Sequence, residues 1–357
     1  MSRLAEGVLA RFYEAAAAEH AAAGARAGLV DTDVRFADRT VRLTFAGREL
    51  ADALRPALAP RIVPPSPLVD VSIRLWQEAD LDGRAQPRPW RDVDLGPRGL
   101  VLGDPSDGVV VVHEEGSGAV TVVDRQAQNL LYRVPSAKQL PWWERAAPLR
   151  PAFFWALTGP GRHLVHAGAV GDPERGGTLL AGSGGSGKTT LALAALISGL
   201  RYVADDYLLL VADPSPVAWN VYSTAKLDEG HLVRFPELRS GVRLSESPEP
   251  QEKSVLDVAP QALVESLPLR SVIIPRITGG RTSVKPASAA EALLALAPST
   301  VFQMPFDDGA AMGSLARLVR GLPCFSLRVG DDRQELALEL DRVLDVAADR
   351  TSAGVPR

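Results

Sequence analysis

The stretch from Thr178 to Leu210, TLLAGSGGSGKTTLALAALISGLRYVADDYLLL, constrains the chain more than any other. An apolar run, Thr178 to Ala181, breaks into a glycine-rich loop, Gly182, Ser183, Gly184, Gly185, Ser186 and Gly187. Lys188, Thr189 and Thr190 follow, and then a helix-like segment that Gly199 ends. This is G-x-x-x-x-G-K-T in a strand–loop–helix setting. Glycines let backbone N–H groups converge on phosphate oxygens, and the positive end of the new helix points at the same anion. A lysine at this spacing serves the β- and γ-phosphates, and a threonine hydroxyl can ligate Mg²⁺. The pattern predicts a nucleotide site.

The rest of the composition narrows the setting. A length of 357 residues exceeds one typical core, so two domains are expected. A net charge of −4 with no Lys/Arg cluster argues against nucleic acid as a partner. Cys324 is the one cysteine, which excludes an internal disulfide and a cysteine-based metal site and fits a reducing, cytoplasmic setting. No apolar run approaches the length of a membrane span, so no membrane association is expected.

The chain divides on pattern. Residues 1–135 read as a small α+β domain: an amphipathic helix over 3–26, alternating antiparallel strands around Val34–Phe36, Val41–Phe45 and Val69–Leu75, and a short helix over Glu49–Leu58. A loop follows over 77–99, then a hairpin of Val109–Val112 with Ala119–Val123. His20 and His113 read as packing or surface histidines. Residues 136–157 form a helical aromatic connector carrying Trp142, Trp143, Phe153, Phe154 and Trp155. Residues 158–350 form the nucleotide domain, and 351–357 a frayed tail. In the nucleotide domain His163–Val170 reads as one strand pairing with the loop-bearing strand, and Val217–Leu227 as another. Residues 236–254 read as a mobile loop. Strands over Ser271–Ile277 and Cys324–Val329 follow, with helices opening at Ser288 (a capping box with Glu291), at Gly309 and at Gln334.

A nucleotide loop needs a carboxylate for the metal, and transfer to a hydroxyl needs a base. Asp205, Asp206 and Asp213 lie near enough in sequence. Asp213 runs into Pro214-Ser215-Pro216 and reads as an exposed turn. Asp205 and Asp206 end the strand after the loop helix, and the carboxyl end of such a strand lies beside the phosphate site. Two adjacent acids allow one to hold Mg²⁺ while the other takes a proton. Lys226 and Lys253 are distal cations within reach of a role as clamps on phosphate or acceptor; surface positions are favoured for both.

LVHAGAV followed by GGTLLAGSGGSGKTTLALAALISGLRYVADDYLLL resembles the C-terminal kinase domain of HPr kinase/phosphorylase. That family has a strand bearing His-Gly, a strand into G-x-S-G-x-G-K-S, a helix closing in Gly, and then V-A-D-D. The likeness covers His163 to Leu210. It implies an α/β P-loop kinase domain of the HPr kinase and phosphoenolpyruvate carboxykinase type, a mixed sheet with flanking helices, here preceded by the small α+β domain. It implies transfer of the ATP γ-phosphate to a serine hydroxyl, with ATP and Mg²⁺ required. By the same resemblance Lys188 binds phosphate, Thr189 the metal, Asp206 is the base, Asp205 the metal partner and His166 the strand histidine; the roles of the two acids can be exchanged. The sequence departs from the family where Ala167 replaces the glycine after the histidine and Thr189-Thr190 replaces Ser-Glu. The motif for the reverse, phosphorolytic reaction is not evident, and residues 1–135 do not match the sensor domain. The expectation is therefore a divergent serine kinase acting on a peptide or small protein, such as a lasso-peptide precursor. The alternatives are a small-molecule kinase, acting on free serine or a metabolite, and an ATP-binding regulator without transfer. A homo-oligomer is compatible with all three.

Overall fold

The computed structural model describes residues 3–243, 253–301 and 310–352. The chain forms two compact units, Met1–Thr158 and Gly159–Arg357. The aromatic segment after residue 135 packs inside the first unit rather than standing apart as a connector.

In the first unit, α1 (Val8–Ala27) starts later than its alanine-rich composition suggests, because Gly7 adopts a left-handed conformation (φ 77°) just before it. The strands are β1 (Leu29–Phe36), β2 (Arg39–Ala46), β3 (Ile62–Val63), β4 (Val71–Gln77), β5 (Val109–Glu114), β6 (Ala119–Asp124) and β7 (Asn129–Val134). They form one seven-stranded sheet in the order β3-β1-β2-β4-β7-β6-β5. The expectation of antiparallel strands fails at the centre, where β4 pairs in parallel with both β2 and β7. Alternation reports which face of a strand is buried, not the direction of its neighbour. Both faces of the sheet are covered. Leu9, Phe12, Ala16 and Ala23 of α1 pack with Trp76, Val111, Val120, Val122 and Leu131. The opposite face takes α2 (Arg48–Leu58), whose Leu50, Leu54 and Leu58 are buried, and Phe153, edge-on to Phe36 at 5.1 Å. The aromatic segment is two helices, α3 (Trp142–Ala146) and α4 (Arg150–Leu157), separated where Leu149 takes φ 62°. Residues 77–99 coil through short 3₁₀ turns that bury Leu81 and Trp90.

The second unit contains β8 (Arg162–Val165), β9 (Gly168–Asp172), β10 (Gly176–Leu180), β11 (Arg201–Ala204), β12 (Leu208–Val211), β13 (Val217–Asn220), β14 (Thr224–Leu227), β15 (Val242–Arg243), β16 (Ser254–Asp257), β17 (Ser266–Ile277), β18 (Ser283–Ala287) and β19 (Cys324–Val329). Its helices are α5 (Lys188–Ile197), α6 (Glu229–Arg234), α7 (Ala289–Val301), α8 (Ala310–Gly321) and α9 (Arg333–Ser352). A nine-stranded mixed sheet runs β11-β9-β10-β17-β13-β12-β8, with β19 joining β17 and β18 joining β19. Successive residues of β10 and β17 point to opposite cores. Leu180 and Ile273 meet α5 and α9 through Leu191, Leu193, Leu336 and Leu340. Leu179, Val272 and Ile274 meet α7 and α8 through Ala292, Leu296, Leu315 and Leu318. The unit is thus an α/β layer structure with helices on both faces. A second, three-stranded sheet, β14-β16-β15, stands apart from it.

Two single strands of the sequence reading are broken. HLVHAGAV is β8 and β9, with His166-Ala167 between them: β8 pairs with β12, and β9 with β10 and β11. Val217–Leu227 is β13 in the large sheet and β14 in the small one, and buried Val221, Tyr222 and Ser223 make the crossing. Residues 236–243, expected as mobile loop, form a 3₁₀ turn and β15; 244–252 lie outside the described residues. The Ser288–Glu291 capping box forms as expected, Ser288 N donating to Glu291 Oε2 (2.9 Å) and Glu291 N to Ser288 Oγ (3.2 Å). The helix expected from Gly309 is α8, Gly309 itself lying outside the described residues. Likewise α9 runs to Ser352, and 353–357 lie outside them. Among the described residues no helix is long and apolar enough to cross a membrane.

Candidate active site

The site gathers at one end of the strands of the large sheet. β9 is antiparallel to both β10 and β11, so β10 and β11 run in the same direction. The loop after β10 and the acids after β11 therefore emerge at the same end.

Gly182–Gly187 connects β10 to α5. Gly187 caps the helix at φ 108°, a conformation that a side chain would strain, and an added Cβ would lie 3.2 Å from Ile277 and Val329 side-chain carbons. Gly182 is constrained by proximity: a Cβ there would meet Ser186 Oγ at 2.4 Å. Gly184 and Gly185 face open space, as a cradle for a bound group requires. Ser186 Oγ is buried without a hydrogen-bond partner among the described residues. Lys188 is only 6% exposed and folds back over the loop, its Nζ donating to the carbonyl oxygens of Gly182 (2.6 Å) and Ser183 (3.2 Å). Burial lowers the ammonium's pKa, against the raising charges of Asp206 and Asp205.

Thr189 Oγ1 donates to Asp205 Oδ2 at 2.9 Å. Asp205 is 3% exposed and also accepts from the Tyr202 hydroxyl on Oδ1 (2.8 Å), while the Lys226 backbone N–H reaches Oδ2 at 3.4 Å. Burial, and then the charge on Asp206, raise the Asp205 carboxyl above the usual aspartate range, outweighing the bonds from Tyr202 and Thr189. Asp206 goes the other way. Burial pushes it up, but the Lys226 charge and the contact with His166 together hold it well below. His166 Nε2 lies 2.6 Å from Asp206 Oδ1, and Lys226 Nζ 2.5 Å from Oδ2. The His166 ring stacks on Tyr207 at 5.1 Å and 26° between planes. The break between β8 and β9 is what delivers His166 here.

The structure therefore brings together Lys188, Thr189, Asp205, Asp206 and His166. It leaves Asp213 in the turn after β12, more than half exposed and 3.4 Å from Arg317. Two further residues join the cluster. Lys226, read as a surface cation, is the Asp206 partner. His231 of α6 places Nε2 3.1 Å from Thr190 Oγ1 and Nδ1 2.7 Å from Asp228 Oδ1. A lysine as the one charged residue of the strand-like run VAWNVYSTAKL is the sequence signal for Lys226. His231 left none.

The donors fit a magnesium–nucleotide pair. Among the described residues no three His, Cys, Asp or Glu side chains form a metal cage. Magnesium needs none, since it keeps waters and takes one or two protein oxygens with the substrate phosphates. Thr189 Oγ1 and Asp205 Oδ2 are such a pair of oxygens, and Gly184 and Gly185 leave open space in the loop for phosphate.

No known protein family matches the chain by sequence, and no curated protein matches it. Among solved structures it is similar to the Hpr(Ser) kinase/phosphatase from Coxiella burnetii, at 14% identity and a TM-score of 0.28, over 52% of this chain and 99% of that one. A likeness at that level is distant, and the functional reading stands on the residues themselves.

Proposed function

We propose that the second unit is an ATP- and Mg²⁺-dependent kinase of the HPr kinase type, transferring the γ-phosphate to a serine hydroxyl of a peptide or small protein. The observation that carries the reading is the Thr189–Asp205 hydrogen bond. It ties the threonine of the glycine loop to the first of two adjacent acids and leaves the second, Asp206, 23% exposed beside it. One acid thus bonds the threonine hydroxyl and the other contacts a histidine and a lysine, which supports a division between metal and proton duties.

In this reading Gly182–Gly187 and the amino end of α5 bind the phosphates through backbone N–H groups. Lys188 turns from the loop carbonyls to the phosphate oxygens, and Thr189 and Asp205 hold the metal. The metal neutralises charge on the phosphates when bound. The acceptor hydroxyl oxygen forms the new bond to the γ-phosphorus as the bond to the β–γ bridging oxygen breaks, and that electron pair leaves with ADP. The hydroxyl proton passes to Asp206, which His166 orients through Oδ1. Catalysis is then mainly positioning and charge stabilisation.

The test is transfer itself. The protein is incubated with γ-labelled ATP, Mg²⁺ and serine-containing peptides, beginning with any precursor peptide encoded beside its gene, and the products are mapped by mass spectrometry. Phosphoserine on a peptide, absent with Asp206→Asn, is the expected result. Label on free serine or another small hydroxyl compound would move the acceptor to a small molecule. Tight ATP binding with no acceptor-dependent ADP would overturn the kinase reading in favour of a regulator.

A further inference from the structure

We propose that Lys226 is the cation that contacts the transferred phosphoryl group, held on Asp206 until that phosphate arrives. The inference rests on the nucleotide reading above and assigns a residue that the glycine-loop pattern does not include.

Lys226 sits on β14, which among the described residues pairs with β16 alone, so its other edge faces the acids. Its backbone N–H points at Asp205, and its side chain crosses the Tyr207 ring, Nζ 5.7 Å from the centroid, to reach Asp206 Oδ2. The side chain is 14% exposed, so it is seated in the cluster rather than in solvent. The two site lysines are parked differently. Lys188 rests on neutral backbone carbonyls, whereas Lys226 rests on a carboxylate. With two aspartates and two lysines the formal charges cancel in the absence of ligand. A polyphosphate brings negative charge that this balance does not cover. The flexible four-carbon stem lets an ammonium move with its backbone fixed.

The same movement uncovers Asp206. If Nζ transfers to the phosphoryl oxygens, Oδ2 becomes open to the acceptor hydroxyl, while His166 keeps its hold on Oδ1. One movement then supplies charge where phosphate oxygens gather and frees the carboxylate oxygen that the ion pair had covered. The bland alternative is a structural ion pair that pins β14 to the end of β11.

Calorimetric titration of the full chain with Mg²⁺ and either ADP or the non-hydrolysable β,γ-imido analogue of ATP separates the two. Lys226→Met is expected to bind ADP within about twofold of the wild type but to lose about 10–100-fold in affinity for the imido triphosphate, the range for one charged hydrogen bond. Lys226→Arg is expected to retain most of that affinity. The double variant Lys226→Met/Asp206→Asn leaves no carboxylate deserted and is expected to show the same selective loss, which guards against a folding defect in the single variant. Equal weakening of both nucleotides, or of neither, would overturn the role of Lys226 while leaving the site reading intact. Failure of the wild-type chain to bind either nucleotide would overturn the site reading, and this inference with it.

Discussion

The Thr189 hydroxyl and the Asp205 carboxylate are 2.9 Å apart, although one residue opens α5 and the other follows β11. If this pair holds the metal, Thr189→Val should weaken Mg²⁺–nucleotide binding by about 10–100-fold, the worth of one hydrogen bond or ligand to a charged group. Binding measured in EDTA should change little. A loss of the same size with and without Mg²⁺ would mean that Thr189 serves the loop and not the metal.

Asp206→Asn keeps the shape of the side chain and removes its ability to take a proton. Transfer should fall by about 10²–10⁴-fold, the usual weight of a general base, with ATP affinity nearly unchanged. Lys188→Ala should weaken both, because that ammonium serves bound and transferring phosphate alike. Single-turnover rates beside equilibrium titrations distinguish the two patterns. Full transfer activity in Asp206→Asn would remove it as the base and turn attention to Asp205.

Burial and the neighbouring charge hold the Asp205 pKa above its ordinary value. An acid raised by folding contributes stability that is present below the unfolded pKa and lost as pH rises through the folded one. Ionising Asp205 in the absence of nucleotide therefore costs stability. Asp205→Asn should raise the thermal midpoint, by about 2–4 °C for each kcal/mol recovered in a domain of this size, and should abolish metal-dependent binding. Metal binding requires the carboxylate, so wild-type affinity for Mg²⁺–nucleotide should climb with pH through the raised value, with proton release. Titrations in buffers of different ionisation enthalpy would show that release. Its absence would mean that Asp205 is already ionised or does not meet the metal.

How much of this was legible depended on distance along the chain. The loop was readable because Gly182–Thr190 is a local pattern whose spacing is its function. Asp205 and Asp206 were readable because one helix and one strand separate them from the loop. Lys226 was hidden because Val221–Ser223 is as apolar and buried as the strands it joins, so nothing in the period marks the change of sheet. His231 reaches Thr190 only because α6 and α5 contribute to one core, a tertiary fact. The division of HLVHAGAV was invisible for the same reason as that of Val217–Leu227: both halves are apolar, and only their partners differ. The parallel neighbours of β4 belong to the same class of error.

The first unit carries a buried acid cluster whose pH response can be stated. The Tyr132 hydroxyl donates to Glu144 Oε1 at 2.6 Å, the Leu149 N–H donates to the same oxygen at 3.0 Å, and Arg150 lies 3.1 Å from Glu114 and 3.5 Å from Glu144. One guanidinium thus faces two carboxyls. Burial, and then the Glu144 charge, push Glu114 up to about 8, against the pull of Arg150. Glu114 Oε2 is buried without a hydrogen-bond partner among the described residues. By the same sign rule, the stability contributed by Glu114 is full below the ordinary glutamate range and is lost as pH rises toward about 8. The side chain is still 19% exposed, so solvent moderates the size of the effect. Glu114→Gln should flatten the fall in thermal midpoint between acid and mildly alkaline pH. Tryptophan fluorescence can follow it, since Trp76, Trp90, Trp142, Trp143 and Trp155 all lie in this unit and Trp219 alone lies in the other. An unchanged pH profile in Glu114→Gln would show that Arg150 neutralises both acids, and that Glu114 is ionised across the range.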